Sequence, residues 1–476
     1  MRATTRQWAG ILVVLGLGTV GCQGADPTCS YPAAPAGASS VVHVCAGASG
    51  DGTNAASARG SLAAAVDAAP AGAVILVGQG TYRENVVIRR PITIIGGELA
   101  DEGAGASVEL TAPGPNALVV EGATGVVVQG LRIVGAETSG VWLMSGSEAT
   151  LEGLQVEGTH GFGVLATKAS LTLRRSAVSN SSDVGVLLWD GSSGIIDTNN
   201  LTANLGGGLR IDDSTAPDFE PNITHNVVSD NGQFGVGVFG SVAIIDTNNI
   251  TATTEGAVGG YGILAASYDG DSPSSVTVSG NTIDGSARAG IVLTLGTKAI
   301  IDTNNINGNG ATGKSGAGVW LAAGADATLT NNTLAKNNFA GVALVGEATA
   351  IIDTNNITGV PGSSLAVTVI GDGLFLGPGS SSTVKNNTVS SCYRAGVFTD
   401  GASASTKLVG NTLSGNDYAM ILQGQGYLDL DGNSASMNVK SNGVDLTSAA
   451  VPAGKFGTLG GAIDVPAEVA VAGAAQ

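Results

Sequence analysis

Ile195-Ile196-Asp197-Thr198-Asn199-Asn200 recurs letter for letter at 244–249, 300–305 and 351–356, in steps of 49, 56 and 51 residues. Weaker copies stand between them, at Asn281-Thr282-Ile283, Asn332-Thr333-Leu334, Asn387-Thr388-Val389 and Asn411-Thr412-Leu413, so the underlying period is about half as long. A second anchor, glycine followed by an apolar residue, falls at 140, 163, 185, 208, 235, 262, 290, 318, 341, 373 and 396, with steps of 22 to 32 residues. Each unit holds three short alternating runs: a Gly-Val-x-Leu run, the run leading to the asparagine and the run after it. Such a run has no partner inside its own unit, so it hydrogen-bonds to the equivalent run one unit away, and parallel sheets wind round a common core. Alternation sends Val141, Leu143, Val186, Leu188, Val319 and Leu321 inward. The preferred hand of parallel crossovers makes the winding right-handed. The predicted fold is all-β: a right-handed single-stranded parallel β-helix, a solenoid of about fourteen coils and about 67 Å in length at roughly 4.8 Å per coil.

Asn199, Asn226, Asn248, Asn281, Asn304, Asn332, Asn355, Asn387 and Asn411 occupy one turn of successive coils. A buried amide both donates and accepts, so identical amides one coil apart satisfy each other. In this the chain resembles, from about residue 41 to 435, the pectin-lyase-like superfamily of parallel β-helices, whose members stack an asparagine row at one turn. Gly50-Asp51-Gly52-Thr53 and Gly80-Thr81-Tyr82 followed by Glu84 are similar to that superfamily's N-terminal segment. Between them Ser61 can cap a short apolar helix, Leu62 to Ala69, ended by Pro70. Strands are expected at Val74 to Val77, Asn85 to Ile88 and Ile92 to Ile95.

Glycine supplies 74 of 476 residues, charged side chains 12% and aromatics 4%, which suits short strands and tight turns and neither a disordered chain nor a helical one. The net charge of −18, with 20 Lys and Arg scattered along the chain, excludes the basic stripe that nucleic acid requires and disfavours anionic polysaccharide.

Residues 1–21 read as an export signal: Arg2 and Arg6 precede the apolar run Trp8 to Val20. Cys22 follows Thr19, Val20 and Gly21, which resemble a bacterial lipobox, although Thr19 stands where that motif usually has Leu. The expectation is a lipid on Cys22, a flexible tether over 22–40, the β-helix over 41–435 and a C-terminal cap or tail over 436–476. The protein would then be exported and lipid-anchored to the cell envelope, at the outer membrane or cell surface. In an oxidising compartment Cys29 and Cys45 could pair, leaving Cys392 as a buried thiol.

Distances from ladder asparagine to anchor glycine vary from 9 to 18 residues, so loops accumulate on one edge of the Gly-Val-x-Leu sheet. On its other edge stand acidic insertions with Asp212, Asp213, Asp218 and Glu220, then Asp269 and Asp271. The superfamily resemblance implies a substrate groove on this sheet. Hydrolases need clustered carboxylates, and lyases or epimerases need a base with positive charge for the uronate. Arg210, Asp212 and Asp213 come nearest to such a set, against the plainer reading of a solvated ion pair. Asp212, Asp213, Asp218 and Glu220 offer oxygen ligands that calcium could take, against the plainer reading of a solvated loop without cofactor. His43, His160 and His225 are expected to be structural or exposed, and Thr159-His160-Gly161 resembles the Gly-His-Gly of polygalacturonases in part only. The Asp197, Asp246, Asp302 and Asp353 row is expected to cap turns.

Outward positions of the same sheet carry Trp142, Trp189, Trp320, Phe239, Phe375 and Phe398, whose rings could stack on sugar faces. The competing expectation is that loops, the tail or a second copy cover them, since exposed apolar strips usually mark something hidden. The favoured function is a binding scaffold for polysaccharide or an envelope protein; the alternative is a polysaccharide lyase, hydrolase or epimerase. Whether the chain is catalytic stays open at this level.

Overall fold

A computed structural model of the protein describes residues 29–97, 108–214, 220–255, 259–268, 273–310, 316–365, 368–401, 405–423 and 430–446. Residues 1–21, expected from the sequence to be an export signal, together with Cys22, Asp218, Asp269, Asp271 and residues beyond 446, lie outside the described residues.

Three all-parallel sheets form, each of fifteen strands among the described residues, and neighbours in a sheet are equivalent strands of adjacent coils. Fourteen intervals of about 4.8 Å make a rod of about 67 Å. The Ile-Ile-Asp sheet runs from Val41–Val44 to Lys407–Val409. The Asn-Ile-Thr sheet, built of short strands, runs from Gly80–Tyr82 to Ser434–Ser436, and the Gly-Val-x-Leu sheet from Val86–Ile88 to Ser441–Leu446. The last strand thus lies beyond residue 435, where the sequence placed the end of the helix. The inward residues Val141, Leu143, Val186, Leu188, Val319 and Leu321 are all completely buried. At the N-terminal end the helix spans Leu62–Ala68, and the Ser61 hydroxyl accepts from the Ala64 amide. Cys29 and Cys45 form a disulfide with a Cα–Cα separation of 5.8 Å, tying the segment before the first strand to the first coil.

The corners explain why the coils stack in one register. At the first corner each ladder amide donates to the next coil's amide oxygen, as in Asn199 to Asn226 at 3.0 Å and Asn304 to Asn332 at 3.0 Å, and the row continues through Asn411 to Asn433 at 2.9 Å. The second corner carries a row that the repeat analysis missed. Asn204 donates to Asn231 at 3.1 Å, Asn309 to Asn337 at 3.0 Å and Asn416 to Asn438 at 3.1 Å. Every one of these residues stands five places from a ladder asparagine. Cys392 occupies this second row, its amide donating to the Asn416 side chain at 2.9 Å. Burial pushes its thiol up to about 12, so it stays a protonated packing residue. At the third corner Ser214 and Ser241 sit on successive coils, the Ser214 amide donating to the Ser241 hydroxyl at 2.9 Å.

The aspartate row bridges coils. Asp302 accepts from Thr330, Thr303 and Asn331, bonds that hold its carboxyl below the usual range. At Asp353 burial pushes upward, but bonds from Asn386, Thr354 and Lys385 outweigh it and the carboxyl is again held low. A carboxyl depressed on folding stabilises the folded state above its unfolded value near 4 and loses that contribution as pH falls through the folded value. The melting temperature is therefore expected to drop between about pH 4 and lower pH, and Asp302→Asn to shrink the difference between pH 7 and pH 3. Scanning calorimetry at the two pH values checks this; an undiminished difference in the variant would remove the row from the explanation.

Candidate functional site

The outward face of the Gly-Val-x-Leu sheet divides into an open half and a covered half. Two columns run along it. One passes through Trp142, Leu165, Leu187, Arg210 and Gly237; the other passes through Met144, Thr167, Trp189, Asp212 and Phe239. Because residues two apart on a strand share a face, Arg210 and Asp212 both project outward from Gly207–Asp212.

These two form an ion pair, with the Arg210 side chain 18% exposed and that of Asp212 9%. The guanidinium lies 4.9 Å from the centre of the Phe239 ring. Tyr268, reaching back from the loop after Tyr261–Ala266, completes the cluster. Its hydroxyl donates to Asp212 Oδ1 and accepts from Arg210 Nη2 at 3.3 Å. The Tyr268 ring stacks on Phe239 at 6.4 Å and lies across Gly240, where a Cβ would come within 2.7 Å of Tyr268 Cδ2 and φ is +52°. Only glycine leaves room for that ring. Burial raises the Tyr268 pKa, and the bond to Asp212 and its negative charge raise it further, against the opposing pull of Arg210. The phenol accordingly remains a proton donor at all physiological pH.

The structure thus brings Arg210 and Asp212 together and adds Tyr268, which sequence reasoning missed because it arrives from two coils away. Asp213 is not part of the cluster: it is an exposed turn residue with φ of +48°. Glu220 is exposed, and among the described residues no three His, Cys, Asp or Glu side chains converge as metal ligands would. His225 faces Asp197 at 3.1 Å on the Ile-Ile-Asp side, His160 is exposed in its turn and His43 contacts Tyr31 edge to face.

The six outward aromatics do not share one environment. Trp189 is 43% exposed, and Trp142 is half-buried with Nε1 donating to Thr167 at 3.3 Å. Phe239, Trp320, Phe375 and Phe398 are buried, so the open row envisaged from the sequence is open only at its first two members. Phe339, from the turn before Ala340–Leu344, joins the later ones into a continuous stack: 6.0 Å to Trp320 and 5.4 Å to Phe375, which lies 5.5 Å from Phe398. Arg394 closes this stack 3.9 Å above Phe398 and forms a two-pronged pair with Asp372, with exposures of 1% and 0%. Physically the covered half is a second hydrophobic cluster, and the other half exposes Trp189 and part of Trp142 around the buried Leu165 and Leu187, with one charged centre.

Residues 116–273 and 267–435 match the family model described as the right-handed β-helix region. No curated protein matches the chain. Among solved structures, the periplasmic alginate epimerase AlgG is 13% identical with a TM-score of 0.42, the match covering 79% of this chain and 83% of that one. The A-module of the mannuronan C-5 epimerase AlgE6 from Azotobacter vinelandii is 14% identical with a TM-score of 0.36, over 80% and 93%. An alginate lyase from Paenibacillus sp. is 18% identical with a TM-score of 0.26, over 62% and 91%.

Proposed function

The chain belongs to the right-handed β-helix family, and from that premise we propose that it is an exported polysaccharide-processing protein. It takes a glycan across the open half of the Gly-Val-x-Leu sheet and works on it at Arg210, Asp212 and Tyr268. The observation that carries this reading is the cluster itself: a guanidinium and a neutral phenol, both fixed by one carboxylate, one coil beyond the exposed Trp189. Tyr268 supplies a proton to the leaving glycosidic oxygen as water takes its place at the anomeric carbon, Arg210 pairs with sugar oxygens, and Asp212 positions both. Export is supported by the Cys29–Cys45 disulfide, which persists in oxidising compartments. A lipid on Cys22 would hold the domain to a membrane.

Turnover of a polysaccharide panel tests the proposal, with reducing ends, unsaturated ends and epimer ratio as separate readouts. Tyr268→Phe and Arg210→Ala are expected to lower turnover about 100-fold or more, as loss of a positioned acid does. A full set of substrates left untouched, or variants as active as the parent, would sink it. The binding-scaffold reading is favoured by one observation: both Asp212 oxygens are engaged, by Arg210 and by Tyr268. It predicts glycan binding without turnover, lost in Trp189→Ala and retained in Asp212→Asn.

A further inference from the structure

The charges that border the open platform bear on which polysaccharide it can accept. Trp142 stands two coils before Leu187 in its column, and Trp189 follows Leu187 by two residues. Two intervals of about 4.8 Å along the axis and two residues of about 3.3 Å across it separate the two tryptophan backbone positions by about 12 Å on a diagonal. The diagonal ends at Asp212, one coil past Trp189.

Three cations beside this track already have carboxylates. Arg89 pairs with Glu121 at 2.9 Å, Lys168 with Asp190 at 3.1 Å, and Arg210 with Asp212. Asp213 and Asp183 add exposed negative charge on the two edges. In the column that holds Trp189, Glu121 stands next to Met144 and Asp212 next to Trp189, so the track begins and ends on a carboxylate. A polyuronate brings one negative charge per sugar, and along this path it would meet like charges at contact distance while Arg89, Lys168 and Arg210 are each held by a carboxylate. An uncharged sugar chain meets no such repulsion. Its C–H faces can lie on the two indoles while its hydroxyls exchange hydrogen bonds with the paired charges.

Resting on the reading that this face takes a polysaccharide, we infer that the polysaccharide is neutral, a polymer of uncharged hexose or pentose units, with Trp142 and Trp189 as its two stacking subsites. The test is calorimetric titration of the whole mature protein, at low ionic strength where charge effects are largest, with cellohexaose and xylohexaose against hexameric galacturonate and mannuronate. At least one neutral hexamer is expected to bind about tenfold or more tightly than either uronate, with little dependence on salt. Trp142→Ala and Trp189→Ala are each expected to weaken it about tenfold. Glu121→Gln combined with Asp190→Asn, both at partly exposed positions, should raise uronate affinity. Uronates bound as tightly as neutral hexamers would overturn the inference and leave the polysaccharide reading standing. Failure of all four to bind would overturn the polysaccharide reading, and this inference with it.

Discussion

Asn304→Ala is expected to destabilise the middle of the rod by about 3 to 4 kcal/mol, among the largest losses a single side chain here can cause. Asn304 is 2% exposed. Its oxygen accepts from the Asn281 backbone amide at 2.9 Å and the Asn281 side chain at 3.0 Å. Its nitrogen donates to Val278 at 2.9 Å and to Asn332 at 3.0 Å. Truncation leaves the Asn281 amide and the Val278 carbonyl without these partners in a place water does not reach, and each orphaned buried group costs about 1 to 3 kcal/mol. The solenoid concentrates the damage, because each coil is stabilised only by its neighbours. Hydrogen exchange should therefore show protection lost in the coils around 281, 304 and 332 and retained near Ile94 and near Leu413. Asn433→Ala, at the partly buried end of the row, serves as the mild control. A uniform fall in protection along the whole rod would show that the coils unfold as one unit and that the ladder does not act locally.

That ladder was legible in the sequence because an amide stack demands the same residue at the same point of every coil. The repeat could not be hidden by variation in loop length. The second row was not seen, although Asn204, Asn231, Asn309, Asn337, Asn416 and Asn438 stand five places after ladder asparagines. Serine, threonine and cysteine replace asparagine in parts of it, as at Ser181, Ser286 and Cys392, because a backbone amide donating to the next coil suffices there. Period and alternation also sufficed to name the outward face and to list Arg210, Asp212, Trp142 and Trp189. They could not foretell what lies over that face. Whether Phe375 is open or buried depends on Phe339, a turn residue outside the strand pattern, and on Asp372 and Arg394, whose pairing joins adjacent coils at 2.7 Å. Tyr268 was invisible for the same reason: loops obey no period, and its partner Asp212 is 56 residues away in sequence.

The covered half supplies the second large effect. Asp372→Ala is expected to cost about 3 to 5 kcal/mol, the range for breaking a buried pair by removal of one member. Arg394 would keep its charge, 1% exposed, after losing the carboxylate that its Nε meets at 2.7 Å, and the Ala395 amide would lose an acceptor at 3.2 Å. Stacking on Phe398 at 3.9 Å cannot replace that compensation, since a cation over a ring gives about 2 kcal/mol even when desolvated. The double variant Asp372→Leu with Arg394→Met should recover most of the loss, because it removes both charges and keeps apolar volume against Phe398. Denaturant midpoints of the two single variants and the double one form the cycle, and a loss below about 1 kcal/mol in Asp372→Ala would mean that water reaches the pair. Six coil intervals, about 29 Å, separate this pair from Arg210. In a chain whose coils communicate only with neighbours, the double variant should leave glycan binding at Trp189 unchanged, so a matched loss of binding and stability would show instead that the two halves of the face are one cooperative unit.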